Sequence, residues 1–485
     1  MTAPVVASDP RRWKALAVLG LIQFMLILDV TVVNVALPHI KADLDFTDTG
    51  LAWVVDGYVL AAGGLLLLGG RLSDIFGRQR TFLAGVALFA AASLSCGLAQ
   101  SDTVLVISRF GQGIGEALAA PAALGLIALL FMDPKERIKA LGIWGGLAGL
   151  GGTSGTVISG VIVNSVSWRV IFLINIPVAI IALVAVPRLT SESRMERSHN
   201  GIDLVGAASI TGSLVAVVNG FLQAARPESS WGSTSVWLSL VIGVALLVFF
   251  VVWESRVEDP LVPLRFFANR TRVVTNGVTL FFSSAFFTYF FLLTLFMQNV
   301  LHYTALKGGL AYLPFGIAIG AGIGMGTGLM PKVGVKALMT VGFLLAALGM
   351  FLTSGIDVGG GYWSHIFPGM AILGFGSGIC FPGFGNASLH EVTAQDAGLA
   401  SGVQNAVQQI AGAVGLAVLV TIASRHAAHL IGTGADPVHA LVKGYELSYR
   451  IAASLLVVGA VAVVALLQHV DPVPRQPEAE AVAAG

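Results

Sequence analysis

The stretch at residues 50–80, GLAWVVDGYVLAAGGLLLLGGRLSDIFGRQR, sets the reading of the whole chain. Its first two thirds, 50–70, are almost continuously apolar. That is the length a helix rising 1.5 Å per residue needs to cross a hydrocarbon core of about 30 Å. The run stops at a short turn carrying Arg71, Arg78 and Arg80, where a crossing helix would meet water and lipid headgroups. A single acid, Asp56, lies inside the run. An ionisable group there costs several kcal/mol unless it faces protein or a water-filled cavity, which marks it as a functional candidate.

Working outward, comparable runs recur near 15–38, 81–99, 103–131, 140–163, 170–187, 204–224, 235–253, 273–300, 308–330, 337–355, 365–388, 398–424 and 451–468. Apolar residues make up 56% of the 485 positions and charged residues 11%, against about 25% charged in an ordinary soluble domain, so water is not the solvent for most of this surface. A transmembrane barrel would show segments of about ten residues alternating apolar and polar, which these Leu/Val/Ala/Gly runs do not. The predicted fold class is all-α integral membrane, with about 14 transmembrane helices. The simplest partition is an N-terminal six-helix bundle at 1–187, a linker with two extra helices at 188–257, a C-terminal six-helix bundle at 258–468 and a tail at 469–485.

Arg11, Arg12 and Lys14 precede a long apolar run without a small-residue cleavage site, which predicts an uncleaved first helix and a cytoplasmic N-terminus. On that map nineteen Lys/Arg fall in inner segments and seven in outer ones, with Arg109 left inside the membrane. The bias predicts both termini in the cytoplasm and a multi-pass protein of the plasma (inner) membrane.

The basic residues form no stripe, so no nucleic-acid partner is expected. Cys96 and Cys380 sit in separate apolar runs as small buried hydrophobes, and no Cys/His cluster has metal-ligand spacing, so neither metal nor cofactor is expected. Glycine is abundant, 59 residues, and pairs four apart, such as Gly111/Gly115, Gly142/Gly146 and Gly151/Gly155, allow close helix packing. Trp53, Trp168, Trp231, Trp237, Trp253 and Trp363 fall near run ends, as interfacial rings should.

Besides Asp56, the ionisable residues within runs are Asp29, Arg109 and Glu116. Counting from the outer run ends places Asp29 roughly 13 Å deep and Asp56 and Arg109 about 9 Å deep, with Glu116 about 10 Å deeper than Arg109. Arg109 can therefore pair with Asp29 or Asp56, while Gln112 and Glu116 share its helical face at spacings of three and seven. This layout suits a proton path; its plainer reading is an ion-pair network that orients helices. The run at 273–300 holds Phe281, Phe282, Phe286, Phe287, Tyr289, Phe290 and Phe291, too many to face one cavity, so most must meet lipid or neighbouring helices. Helices of the second half offer neutral polar groups, Tyr289, Gln298, Gln404 and Gln408, which with Asn34 are weak candidates for a substrate cavity.

The turn GGRLSDIFGRQR at 69–80 resembles the signature loop between helices 2 and 3 of the major facilitator superfamily, with Gly70, Arg71, Asp74, Gly77, Arg78 and Arg80 at matching positions and Gln79 replacing a usual basic residue. LDVTVVNVALPHI at 28–40, RFGQGIGEA at 109–117, WRVIFLINIPV at 168–178, DPLVPLRFF at 259–267 and GLASGVQNAVQQIAGAVG at 398–415 narrow the resemblance to the fourteen-helix drug:proton antiporters of the EmrB/QacA type. The resemblance implies a cytoplasmic latch at Arg71, Asp74 and Arg78, a proton-coupling helix with Arg109 and Gln112, and Asp29 as the membrane-embedded acid. The antiporter signature of helix 5 ends in Gly-Pro and then Gly-Gly; here it reads Gly155-Thr156 and Ser159-Gly160, so a kink site is lost while Gly151, Gly155 and Gly160 keep a small face.

The function implied is proton-coupled export of small organic molecules by a monomer whose partners are substrate, protons and the lipid bilayer. Moving one charge through 100 mV releases about 2.3 kcal/mol, enough for a roughly 50-fold gradient. The alternative is an uptake carrier or uniporter of a small metabolite. A channel would need a ring of like charges or carbonyls, which these few mixed charges do not make. A hydrolase built on Ser154 and a distant His such as His365 has no support beyond a Gly/Ser-rich helix, so no enzyme activity is expected.

Overall fold

A computed structural model describes residues 11–131, 134–192, 203–226, 231–258, 260–262, 264–388, 390 and 397–468. Among them there are helices and no strands. The order is α1 (Arg12–Asp43), α2 (Asp48–Phe76), α3 (Arg78–Gly97), α4 (Asp102–Leu130), α5 (Pro134–Ser165), α6 (Val170–Leu173), α7 (Asn175–Leu189), α8 (Leu204–Ala224), α9 (Thr234–Glu254), α10 (Arg270–Leu295), α11 (Ala305–Ala311), α12 (Leu313–Thr353), α13 (Phe367–Ser388), α14 (Ala397–Gly432) and α15 (Pro437–Leu466). A 3-10 turn (Leu264–Ala268) precedes α10, and π-helical turns follow α10 (Phe296–Val300) and precede α13 (Tyr362–Ile366).

Twelve helical stretches among the described residues are long and apolar enough to cross a membrane. One of them, Ala305–Thr353, contains Gly334 at φ 79°, ψ 160°, outside helical space; glycine tolerates that positive φ, and the chain turns there beside Pro331. α5, 32 residues long, is not counted among the twelve. The Arg78 end of the bundle carries the α2–α3 turn, and the Asp43 end carries the α1–α2 turn.

Helix ends follow local chemistry. Thr47 and Ser101 cap α2 and α4 by accepting the Gly50 and Val104 amides, and Asp436 caps α15 through the His439 amide. The last helix corrects one expectation: α15 starts at Pro437 rather than near 451, because Lys443 and Arg450 flank Glu446 on one face and neutralise it, with contacts of 2.6 and 3.1 Å. Trp168 lies at a run end, just before α6, and is packed into protein, only 4% exposed. Its Nε1 donates to Asp43 at 3.0 Å and the Arg169 guanidinium lies 4.4 Å above its ring, so it locks the α1 and α6 ends together.

α1 to α7 pack on one another, as do α10 and α12 to α15, while α8 pairs with α9 and lies against α2 and α14. The two groups meet along two seams. At the Asp43 end, Gly160 of α5 abuts α11, where a Cβ would lie 2.7 Å from the Ala305 carbonyl oxygen, and Gln298 Nε2 donates to the Val35 carbonyl of α1 at 2.8 Å. Toward the Arg78 end, Gly63 of α2 abuts Gln409 of α14, and Gly402 abuts Leu67.

Candidate functional site

The site is assembled around Asp29, an acid in the middle of α1 with no exposed surface. Its Oδ2 accepts from Arg109 Nη1 of α4 at 2.5 Å. Its Oδ1 accepts from Gln112 Nε2 at 3.1 Å and from Asn175 Nδ2 of α7 at 2.8 Å. Arg109, 1% exposed, also donates through Nε to the Val54 carbonyl of α2 at 2.7 Å and through Nη1 to Gln112 Oε1 at 2.7 Å, and its guanidinium lies 4.4 Å from the centre of the Tyr58 ring. Ser93 of α3 closes the network, accepting from Gln112 at 2.7 Å and Asn175 at 3.3 Å. Five helices thus contribute to one desolvated ion pair whose charges are both satisfied, the condition under which such a pair is tolerated.

Of the two pairings left open by depth, the structure makes Asp29–Arg109 and not Asp56–Arg109. Asp56 is fully buried and neither carboxylate oxygen has a hydrogen-bond partner among the described residues. It shares a helical face, at spacings of seven and eleven, with Gly63 and Leu67, both of which touch α14. Glu116 is 7% exposed, and neither its Oε2 nor the Tyr58 hydroxyl has a hydrogen-bond partner among the described residues. One acid is closed by donors, therefore, and two retain free acceptor oxygens. Chemically, the closed acid can exchange charge only if its donors move, while the open acids can take a proton without rearrangement.

The signature turn is ordered by a residue that sequence reasoning missed. Gly77, at φ 105°, lets the chain reverse between α2 and α3, and Glu192, from beyond α7, accepts the Gln79 and Arg80 amides at 3.2 and 3.1 Å at the N-terminus of α3. Arg80 adds an ion pair to Glu192 at 3.6 Å, and Gln79 reaches Thr190. Arg78 pairs with Asp74 at 3.5 Å and donates to the Gly125 carbonyl of α4 at 3.2 Å. Gly70 lies beside Pro121, a Cβ there standing 3.7 Å from the proline ring, while Arg71 lies one residue further along α2.

In α5 the small face meets two different neighbours. A Cβ at Gly151 would lie 2.9 Å from the Phe24 carbonyl of α1, Gly155 faces Thr31 of α1, and Gly160 faces α11. Ser159 donates to the Val32 carbonyl at 2.5 Å. The side chain of Thr156 lies outside the described residues.

The weak cavity candidates are not brought together. Gln298 is at the Asp43-end seam, Gln404 donates to Thr279 of α10 at 2.7 Å, and Asn34 donates to its own helix at Val30. Gln408 is half-buried on α14. Tyr289 is fully buried, packed on Phe315 and Tyr449, and its hydroxyl has no hydrogen-bond partner among the described residues. The residues missed, Asn175, Ser93 and Tyr58, each carried a signal: a polar group inside an apolar run. Among the described residues no group of His, Cys, Asp and Glu could hold a metal ion.

A family model described as Major Facilitator Superfamily matches residues 19–416. The chain is 38% identical over 467 residues to the puromycin resistance protein pur8 of Streptomyces alboniger, covering 95% of this chain and 92% of that protein. It is 38% identical to the lincomycin resistance protein of Streptomyces lincolnensis, covering 96% and 93%. It is 36% identical to the cephamycin export protein CmcT of Amycolatopsis lactamdurans, covering 82% of each.

Proposed function

This chain belongs to the Major Facilitator Superfamily, and from that premise we propose that it exports small organic molecules, antibiotics among them, across the plasma membrane in exchange for protons by alternating access. The observation that carries the reading is the buried Asp29–Arg109–Gln112–Asn175 network, a desolvated charge pair whose carboxylate is held by donors from two other helices. Relatives named for resistance and export support the direction. Asp29, Asp56 and Glu116 handle the proton, Arg109 and Gln112 sense the charge of Asp29, and the turn at Gly70, Arg71, Asp74, Gly77, Arg78 and Arg80 holds one of two conformations.

The topology that accompanies this function has fourteen crossings and both termini in the cytoplasm, with the Arg78 end facing inward. The break at Gly334 divides α12 into two crossings, α5 supplies another, and the Lys/Arg bias sets the orientation. α1 to α7 form one six-crossing half, α10 to α15 the other, and α8 and α9 lie between them. The transporter works as a monomer, because both seams close within one chain.

The deciding experiment is uptake of puromycin or lincomycin into inverted vesicles acidified inside. Accumulation that collapses with the pH gradient is expected; entry that only equilibrates down an inward substrate gradient and ignores pH points to the uniporter alternative. A periplasm-active reporter fused after Gln79 should be silent and one fused after Trp231 active, and the reverse pattern would end the fourteen-crossing map.

A further inference from the structure

α8 and α9, with the connector that follows them, are built into the α2–α14 seam rather than appended to the bundle. Thr211 of α8 fills the space beside Gly64 of α2, where a Cβ would lie 2.6 Å from its Oγ1. On the other side, Thr421 Oγ1 of α14 donates to the Phe221 carbonyl of α8 at 2.8 Å, and Arg425 Nε donates to the Ala224 carbonyl. α8 therefore holds a helix from each half.

At the Arg78 end, α9 finishes in Glu254, only 4% exposed. Among the described residues its two carboxylate oxygens meet no cation; they accept the backbone N–H groups of Leu261 at 3.3 Å and Val262 at 3.2 Å. Beside it Asp203, 5% exposed, accepts from the Gly206 amide at 2.7 Å and from Trp253 Nε1 at 2.8 Å, which fixes the end of α9 to the start of α8. Leu261, Val262 and Phe266 then enter one apolar cluster with Leu68 of α2, Ala207 of α8, and Ala400 and Val403 of α14. A buried carboxylate accepting two amide protons sets the backbone of the connector, because releasing it would leave an acceptor and two donors unsatisfied together.

We propose that Glu254 is a positioning residue for transport: it seats Leu261, Val262 and Phe266 across the Arg78 ends of α2 and α14 and so keeps that seam shut until the two halves rock apart. The proposal rests on the alternating access of the preceding section and adds to it a role for the two intervening helices. Residues of the connector between α9 and α10 thus bridge the seam, and their withdrawal is a requirement for opening toward the cytoplasm.

The test is alkylation of the purified full chain in nanodiscs by a polar maleimide, which needs no transported compound and is therefore independent of whether export is the right activity. Leu67→Cys reports on this seam and Leu306→Cys on the opposite one, each read against the parent with its buried Cys96 and Cys380. Adding Glu254→Ala should accelerate alkylation at Leu67→Cys by about tenfold or more and leave Leu306→Cys unchanged or slower, with Glu254→Gln intermediate because one acceptor survives. Phe266→Ala, which leaves the carboxylate intact, should reproduce the acceleration and decides the matter if Glu254→Ala fails to fold. Unchanged labelling at Leu67→Cys, or an equal rise at both seams, overturns the proposal, the latter because it signals general loosening.

Discussion

The helices α1 to α7 and the helices α10 to α15 are both six-crossing bundles in the proposed topology, yet their interiors are filled differently. The first holds Asp29, Asp56, Arg109 and Glu116 in its core. The second is filled by aromatic rings: Phe282 lies within 5.2–5.8 Å of Phe286, Phe343, Phe381 and Phe384, and Tyr289 stacks on Phe315. Its buried polar groups, such as Thr275, Thr279 and Gln404, are neutral, and its buried acid Glu446 is already tied to Lys443 and Arg450. A buried charge tolerates few geometries and answers to a proton, whereas packed rings tolerate many and answer to shape. Under the proposed function, coupling belongs to the charged first half and the response to substrate shape to the aromatic second half.

Asp29→Asn should break the comparison most severely. It removes the ionisable carboxylate and leaves Arg109 buried without a counter-charge, which should cost about 3–5 kcal/mol of stability, and pH-driven export should fall sharply. Proton movement on substrate addition to vesicles separates the roles: flux that persists unchanged in the variant would sink Asp29 as a proton carrier.

Asn175→Leu is expected to come next. It deletes one of three donors to Asp29 at a cost of about 1–3 kcal/mol, and should shift the pH profile of transport as well as lower the rate roughly tenfold. A lower rate with an unmoved profile would make Asn175 a packing residue only. Asp74→Asn acts on the conformational balance rather than on the charge network. The pair with Arg78 is partly exposed, so stability should change by under about 1 kcal/mol while transport falls severalfold at normal abundance. Normal turnover would reduce the pair to a solvated turn contact.

The smallest effects belong to the aromatic half. Tyr289→Phe removes a hydroxyl that has no hydrogen-bond partner among the described residues and should alter the substrate range measurably with little loss of stability, whereas Phe282→Leu should lower stability and change transport of all compounds alike. A susceptibility panel compares them, and indistinguishable profiles would show that neither ring meets substrate.

Much of this molecule was legible before its fold. Composition and run length suffice for a helical membrane protein, because the bilayer demands internally bonded backbone over a set length. The four charges inside runs and the turn at 69–80 were equally visible, since each is a local departure from an apolar or generic pattern. Partners were not. That Arg109 meets Asp29 and leaves Asp56 alone, that Asn175 and Ser93 complete the network, that Glu192 orders the signature turn and that Gln298 bridges a seam depend on how each helix is rotated and crossed against others. Spacing along the chain fixes which residues share a face of one helix, but the facing of two helices is decided by ridges, grooves and small residues contributed from both, and only the assembled tertiary structure contains that information.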